Sequence, residues 1–362
     1  MSSQPTPKLY IAGIGMITPV GFDTTSTAAA VRAGVSGYQA SSYYTKKGQP
    51  ITMAAVPEEV FRSEKFKINE GDRYGDLYDH VIKMAILALR EAVAGQTIKN
   101  SVPLLLALPE EVPGVEHTPP KLLIENLLNQ SDLPLRKDAV RCIATGRAAG
   151  IEALDWAFSH LYAKGEDFVL LGGSDCHQDY PRLRALEANQ RVLAPNVMDG
   201  FAPGEGAGFL LLTRHRDRAM SRVNHIIGLC HPGRGDEPGH FSSEEAYRGD
   251  GLDEAFKKAL YDYSGDGIHA IYSSLNGENF WAKEYGVATL RNKSFFQDNV
   301  KMKHPADCLG DLGAATAPVL MGLAAYNLLN EPGVSTHLVY SSSDGAARAA
   351  VRVEKLPRMA NL

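Results

Sequence analysis

Met198-Asp199-Gly200-Phe201-Ala202-Pro203-Gly204-Glu205-Gly206-Ala207-Gly208 is the stretch of this chain that says most about its fold. Its four glycines allow tight turns and close backbone approach. The run passes directly into Phe209-Leu210-Leu211-Leu212, which suits a strand covered on both faces. A glycine-rich loop beside a strand also invites a phosphate-cradle reading, but no Gly-Lys-Ser/Thr follows, so a P-loop is a poor match. The stretch reads as a turn at the rim of a buried sheet.

Apolar runs and helical periodicities extend outward in alternation. Residues 9–15 form a buried-strand pattern ending in glycines, with a loop at Thr18-Pro19-Val20-Gly21. A short Ala-rich helix spans 25–32. Val81, Met84, Ala85, Ala88, Leu89 and Ala92 trace one helical face. Residues 103–108, 139–145 and 168–173 read as strands, and a helix runs from about 147 to 164. The scheme recurs, with strands at 223–230, 269–273, 335–340 and 349–354 and helices at 252–263, 281–290 and 313–329. Pro318 makes the last of these start later or kink. Strands alternating with helices predict α/β layers. The helices opening at Gly146 and Gly313 are rich in small residues, which marks both for a central, doubly covered layer. Residues 1–215 and 216–362 are expected to form two similar halves.

Composition narrows the function classes. The chain has 362 residues, 44% of them hydrophobic and 22% charged, as in an ordinary globular protein. A net charge of -5 without a basic run disfavours a nucleic-acid groove or an anionic membrane surface. No apolar stretch reaches the roughly 20 residues of a membrane span. The polar, Ser/Pro-containing start lacks a signal-peptide core. Cys142, Cys176, Cys230 and Cys308 form no CxxC pair, which argues against structural zinc or a disulfide framework and fits the cytoplasm.

Ile11-Ala12-Gly13-Ile14-Gly15-Met16-Ile17-Thr18-Pro19-Val20-Gly21, Arg32-Ala33-Gly34-Val35-Ser36-Gly37, the 199–208 loop, the 168–173 strand and the 309–317 segment occur in the order found in one enzyme group. In these motifs the chain resembles the ketoacyl synthases of the thiolase superfamily. The resemblance implies a thiolase-like five-layered αβαβα sandwich made of two similar halves. It also implies a homodimer, or a pseudodimer with a related subunit, working without a cofactor. Such enzymes carry an acyl group on a Cys and condense it with a malonyl unit, as in fatty acid or polyketide biosynthesis. The thiolate attacks, two His residues assist decarboxylation, and backbone N–H groups hold the oxyanion.

Each of those positions reads as replaced. The preferred register of Thr145-Gly146-Arg147-Ala148-Ala149-Gly150 sets Arg147 where the family keeps its Cys; a second register sets Ile143 there. Asn276, or else Ser274, stands at the first histidine, and an Asn exchanges no proton near neutral pH. Gly310 takes the second histidine position with Asp311 beside it, and Asp344 replaces the gating Phe. Cys142 reads as an inert core residue, and His304, beside Pro305, as a solvated loop histidine. The expectation is a pseudoenzyme that binds a related subunit, a carrier protein or another client. The alternative is an active acyltransferase using Cys142 or Cys308 with His304. A third reading has Arg147, at a helix N-terminus, binding a carboxylate or phosphate. Asp175-Cys176-His177-Gln178-Asp179 reads as a polar loop after a strand, whose adjacent Cys and His face opposite ways. The linker 214–218 reads as a solvated turn, and Trp156 and Trp281 as core positions.

Overall fold

A computed structural model describes residues 6–62, 76–111, 120–130 and 133–358. The ten main strands are β1 (Leu9–Ile17), β2 (Val102–Ala107), β3 (Leu135–Ile143), β4 (Val169–Cys176), β5 (Glu205–Thr213), β6 (His225–Leu229), β7 (Ile268–Ser273), β8 (Phe296–Lys303), β9 (Thr336–Ser342) and β10 (Ala347–Pro357). Their order is β8-β7-β9-β10-β6-β1-β5-β4-β2-β3. Counted from its own first strand, each set of five follows the order 3-2-4-5-1. The directions match too: two parallel pairings and then two antiparallel ones on each side. Among the described residues, the strand pairs that join the two sets are Leu9↔Leu229 and Tyr10↔Gly228, between β1 and β6.

The helices named below are α1 (Asp76–Val93), α2 (Ala149–Glu152), α3 (Leu154–Phe158), α4 (Asp250–Ala259), α5 (Asn279–Arg291) and α6 (Thr316–Asn330). α1 covers the outer face of β1, β5 and β4, while α4 covers β10 on the far side and packs against α5. α6 lies between the two five-strand sets and meets α2. The result is a thiolase-like αβαβα sandwich with a central helical layer. Its main core cluster draws on both sets, from Leu9 and Ile11 to Val351 and Val353.

Local chemistry explains the layering. β2 and β4 are buried along their whole length, so neither alternates polar and apolar residues. Gly13 and Gly15 do not end β1, which runs on to Ile17; they let α1 approach. A Cβ at either would lie 1.9 Å from the carbonyl oxygen of Ala92 or Ala88. Gly233 plays the same part against α4, where a Cβ would sit 1.9 Å from the Ala255 carbonyl oxygen. The central helices meet through the small residues read from the sequence, and a Cβ on Gly150 would come within 2.5 Å of Pro318. Pro318 sits in the first turn of α6, where its missing N–H costs no bond.

Several expectations need correcting. The long helix expected from 147 is broken into a 3-10 turn, α2, α3 and a π turn at Ser159–Ala163. Strand β3 begins at Leu135, earlier than the expected 139, and β8 falls where the sequence predicts no strand, because both are rich in polar residues and lack the continuous apolar run of a strand buried on both faces. Trp156 is 46% exposed rather than in the core, whereas Trp281 is buried.

Candidate functional site

The site lies where β3 turns into the central helical layer. Gly146 makes the turn with φ 64°, and a Cβ there would meet the Glu110 side chain at 2.6 Å. The 3-10 turn Gly146–Ala148 then sets Arg147 in the interior, 6% exposed. The end of β9 straps this bend: Ser341 Oγ donates to the Arg147 carbonyl at 2.7 Å, and Ala148 N donates to Ser343 Oγ at 3.0 Å.

Arg147 spends its guanidinium on this chain's own groups. Nε donates to the Ser342 carbonyl at 2.9 Å, Nη1 to Asp311 Oδ2 at 2.6 Å, and Nη2 to Asp344. Asp344 also accepts from Arg191, at 2.5 Å from Nη1. Arg191 holds Glu278 through two parallel bonds of 2.7 and 2.8 Å. Asn276 Nδ2 donates both to Glu278, at 3.1 Å, and to Asp311, at 2.9 Å. The side chains therefore close a ring: Arg147, Asp311, Asn276, Glu278, Arg191, Asp344 and back to Arg147. Aromatic faces wall it, with Trp281 4.7 Å from the Arg147 guanidinium and Phe241 3.9 Å from that of Arg191.

Distant segments position these groups. The glycine-rich stretch grips the backbone of Asp311: Gly204 N donates to the Asp311 carbonyl at 2.9 Å, and Asp311 N donates to the Ala202 carbonyl at 2.9 Å. Gly310, at φ 70°, leaves no room for a Cβ, which would lie 2.7 Å from the Ala202 carbonyl oxygen. Glu110 accepts from the backbone N–H groups of Asp344 and Gly345 at 2.9 and 2.8 Å, fixing the turn that carries Asp344. Trp281 Nε1 donates to Glu278 at 2.9 Å.

Charge balance sets the protonation states. Burial alone would raise the pKa of Asp311, but Arg147 and His177 outweigh it and hold the carboxyl well below the usual range. Asp344 is likewise lowered, Arg147 and Arg191 overcoming its burial. Burial raises the pKa of Glu110 against the pull of Arg147. The ring thus counts two guanidinium groups against the carboxyl groups of Asp311, Asp344 and Glu278.

The structure brings Arg147, Asn276, Asp311 and Asp344 together, with Gly310 as the backbone hinge before Asp311. It does not gather the alternative set. Cys142, expected in the core, is exposed on β3, because that strand is an edge of the sheet. Cys308 is buried in the short helix Ala306–Leu309. His304 Nδ1 lies 2.7 Å from Ser273 Oγ, and among the described residues no hydrogen bond joins it to either thiol. Burial also lowers the pKa of His304. Ser274 Oγ accepts from Ser342 N at 2.9 Å. A cavity of about 20 Å³, roughly one water, remains beside Asn276, Asp311 and Thr316. The anion-binding reading of Arg147 is corrected by its partners: each of its three nitrogens already donates inside the protein, and two carboxylates neutralise its charge.

The Asp175–His177 loop reading is also overturned. Asp175 and Cys176 end β4, and both are buried, as is His177. Neighbouring side chains on the strand do face apart: Cys176 Sγ donates to Glu205 at 3.0 Å, while His177 Nε2 lies 3.5 Å from Asp311. Arg191, Glu110 and the partnership of Trp281 with Glu278 were missed by sequence reading. Arg191 joins residues 87 and 153 positions away, so no local pattern announces it.

No family model matches the sequence, and no curated protein matches it. Solved structures do. The ishigamide ketosynthase/chain length factor superposes with TM-score 0.74 at 18% identity, covering 97% of this chain and 99% of its own. The fold is that of the ketosynthases. A type II PKS acyl-carrier protein in complex with its ketosynthase bound to the hexaketide matches with TM-score 0.72 at 15% identity, over 97% of this chain and 100% of the other. The ketosynthase ApeO in complex with its chain length factor ApeC, from Xenorhabdus doucetiae, gives TM-score 0.69 at 15% identity over 98% and 100%. On this fold, the bend into the central helical layer carries Arg147. No helix among the described residues is long and apolar enough to cross a membrane.

Proposed function

We propose that this chain is a catalytically silent ketosynthase-fold subunit that acts by binding. Its partner is a related, active subunit or a carrier protein, in fatty acid or polyketide assembly in the cytoplasm. The observation that carries this reading is the closed ring through Arg147. Acyl transfer needs a thiolate with an open approach and a nearby group to move protons. Here a guanidinium fills that place, its three nitrogens are all bonded inside the protein, and the neighbouring amide of Asn276 cannot serve as a base. A structure similar to this one pairs a ketosynthase with a chain length factor and another pairs a ketosynthase with an acyl-carrier protein, which supports both partner classes.

The test is direct. Purified protein is incubated with an acyl thioester and with a malonyl thioester, and is followed by intact mass and by release of carbon dioxide. The expected result is an unchanged protein mass and no decarboxylation. An acyl adduct mapped to any cysteine would sink the proposal.

A further inference from the structure

Glu205 belongs to the glycine-rich stretch, yet its side chain stands outside the ring around Arg147. The carboxyl is buried at the start of β5 and meets three partners from three other parts of the chain. Val56 N donates to Oε1 at 2.7 Å, and Cys176 Sγ, at the end of β4, donates to Oε2 at 3.0 Å. His80 Nδ1, on α1, lies 3.2 Å from Oε2. The other imidazole nitrogen, Nε2, lies 2.7 Å from Oε1 of Glu58, whose side chain is 63% exposed. One histidine thus spans from an interior carboxylate to a surface one. Both of its nitrogens face acceptors, and only the imidazolium carries two N–H groups.

This bridge ties residues 54–62 to the end of the sheet. Ala54 N donates to the Pro203 carbonyl at 2.9 Å, and Glu205 holds Val56. Past Val56, Phe61 in the short helix Glu59–Arg62 supplies the apolar hold, buried with its ring 4.8 Å from the imidazole. The Glu58–His80 contact supplies the polar one. Glu205 raises the pKa of His80 against the opposing effect of burial, and Glu58 adds to the rise. Burial and Glu205 push the Cys176 thiol well up. Burial, then Cys176, Asp179 and Glu205, push up the nearby Tyr43 phenol. Both therefore keep their protons where imidazoles titrate. The charges that remain close by are paired, Asp79 with Lys83 at 3.4 Å and Glu59 with Arg62 at 3.6 Å.

We propose that His80 is a pH-sensitive latch: as an imidazolium it clamps residues 54–62 to the end of the sheet, and loss of one proton frees the Glu58 end. Glu205 keeps the remaining N–H, because an interior carboxylate without its donor costs more than an exposed one left to water. Nε2 then turns a lone pair toward Glu58 Oε1, and the turn carrying Glu58 loosens. The sign follows from the raised folded pKa. The hold is complete below the ordinary histidine value of about 6.5 and is lost as pH rises through the raised one.

Hydrogen exchange of the peptide covering residues 56–62 tests the latch, read by mass spectrometry from about pH 6 to about pH 9 and corrected for the intrinsic rate. In the wild type, exchange should speed up about tenfold per pH unit between about 6.5 and the His80 titration point, located by imidazole NMR. His80→Gln should exchange at one rate throughout. Glu58→Gln is a surface change that offers the neutral imidazole an amide donor. It should shrink the rise several-fold and lower the His80 titration point. A wild-type profile flat with pH overturns the proposal, as does an undiminished rise in either variant.

Discussion

Arg147 is a buried cation whose three neighbouring carboxylates depend on it and on Arg191. Removing one partner of such a set leaves charge uncompensated in the interior, which costs about 3–5 kcal/mol. Arg147→Met keeps much of the volume and removes the charge, so chemical denaturation of that variant should show a loss of that order. The pH dependence has a definite sign. Asp311 and Asp344 have folded pKa values below their unfolded ones. Their contribution is fully present above an unfolded carboxyl value of about 3.9 and is lost as pH falls through the lower folded values. Wild type and Arg147→Met should therefore differ at neutral pH and converge as the medium is acidified below about pH 4. A stability gap that persisted unchanged into acid would show that the carboxylates are not what Arg147 stabilises.

At the scale of elements, most interfaces follow from residue size. Gly13 and Gly15 admit α1, Gly233 admits α4, and Gly150 admits α6. One element carries strain instead. The hairpin between Ser221–Arg222 and β6 turns on two residues, Val223 and Asn224, with φ 47° and 61°. Both central residues of this turn need left-handed backbone, which Asn tolerates and a β-branched residue resists. Val223 is 82% exposed, so no packing offsets the cost. Val223→Asn should stabilise the protein by about 1 kcal/mol, read as a higher denaturation midpoint with unchanged m-value. A lower midpoint would mean the valine contributes something the turn geometry does not show.

Among the described residues, the two five-strand sets touch edge to edge at two residue pairs. They share far more through the central helices, since one apolar cluster holds residues of both. The ion ring adds to this, joining Arg147 and Arg191 to Glu278, Asp311 and Asp344. Calorimetry should accordingly show one cooperative unfolding transition. Two resolved transitions would mean that the shared layer does not couple the sets.

The sequence by itself determined the layered α/β architecture, because strand burial, helix periodicity and glycine placement are local properties. The Asp199–Gly208 stretch was legible for the same reason: its glycines answer to steric limits within a few residues. Arg147, Asn276, Asp311 and Asp344 could be singled out one by one in the sequence, but not as partners. What joins them, and the roles of Arg191, Glu110 and Trp281, only the tertiary structure decided. The cause is range: a charge more than a hundred residues away costs nothing in the extended chain and becomes decisive when burial removes water from both groups. Cys142 shows the reverse error. The usual burial of cysteine suggested a core position, and only the strand order revealed that β3 stands at the edge.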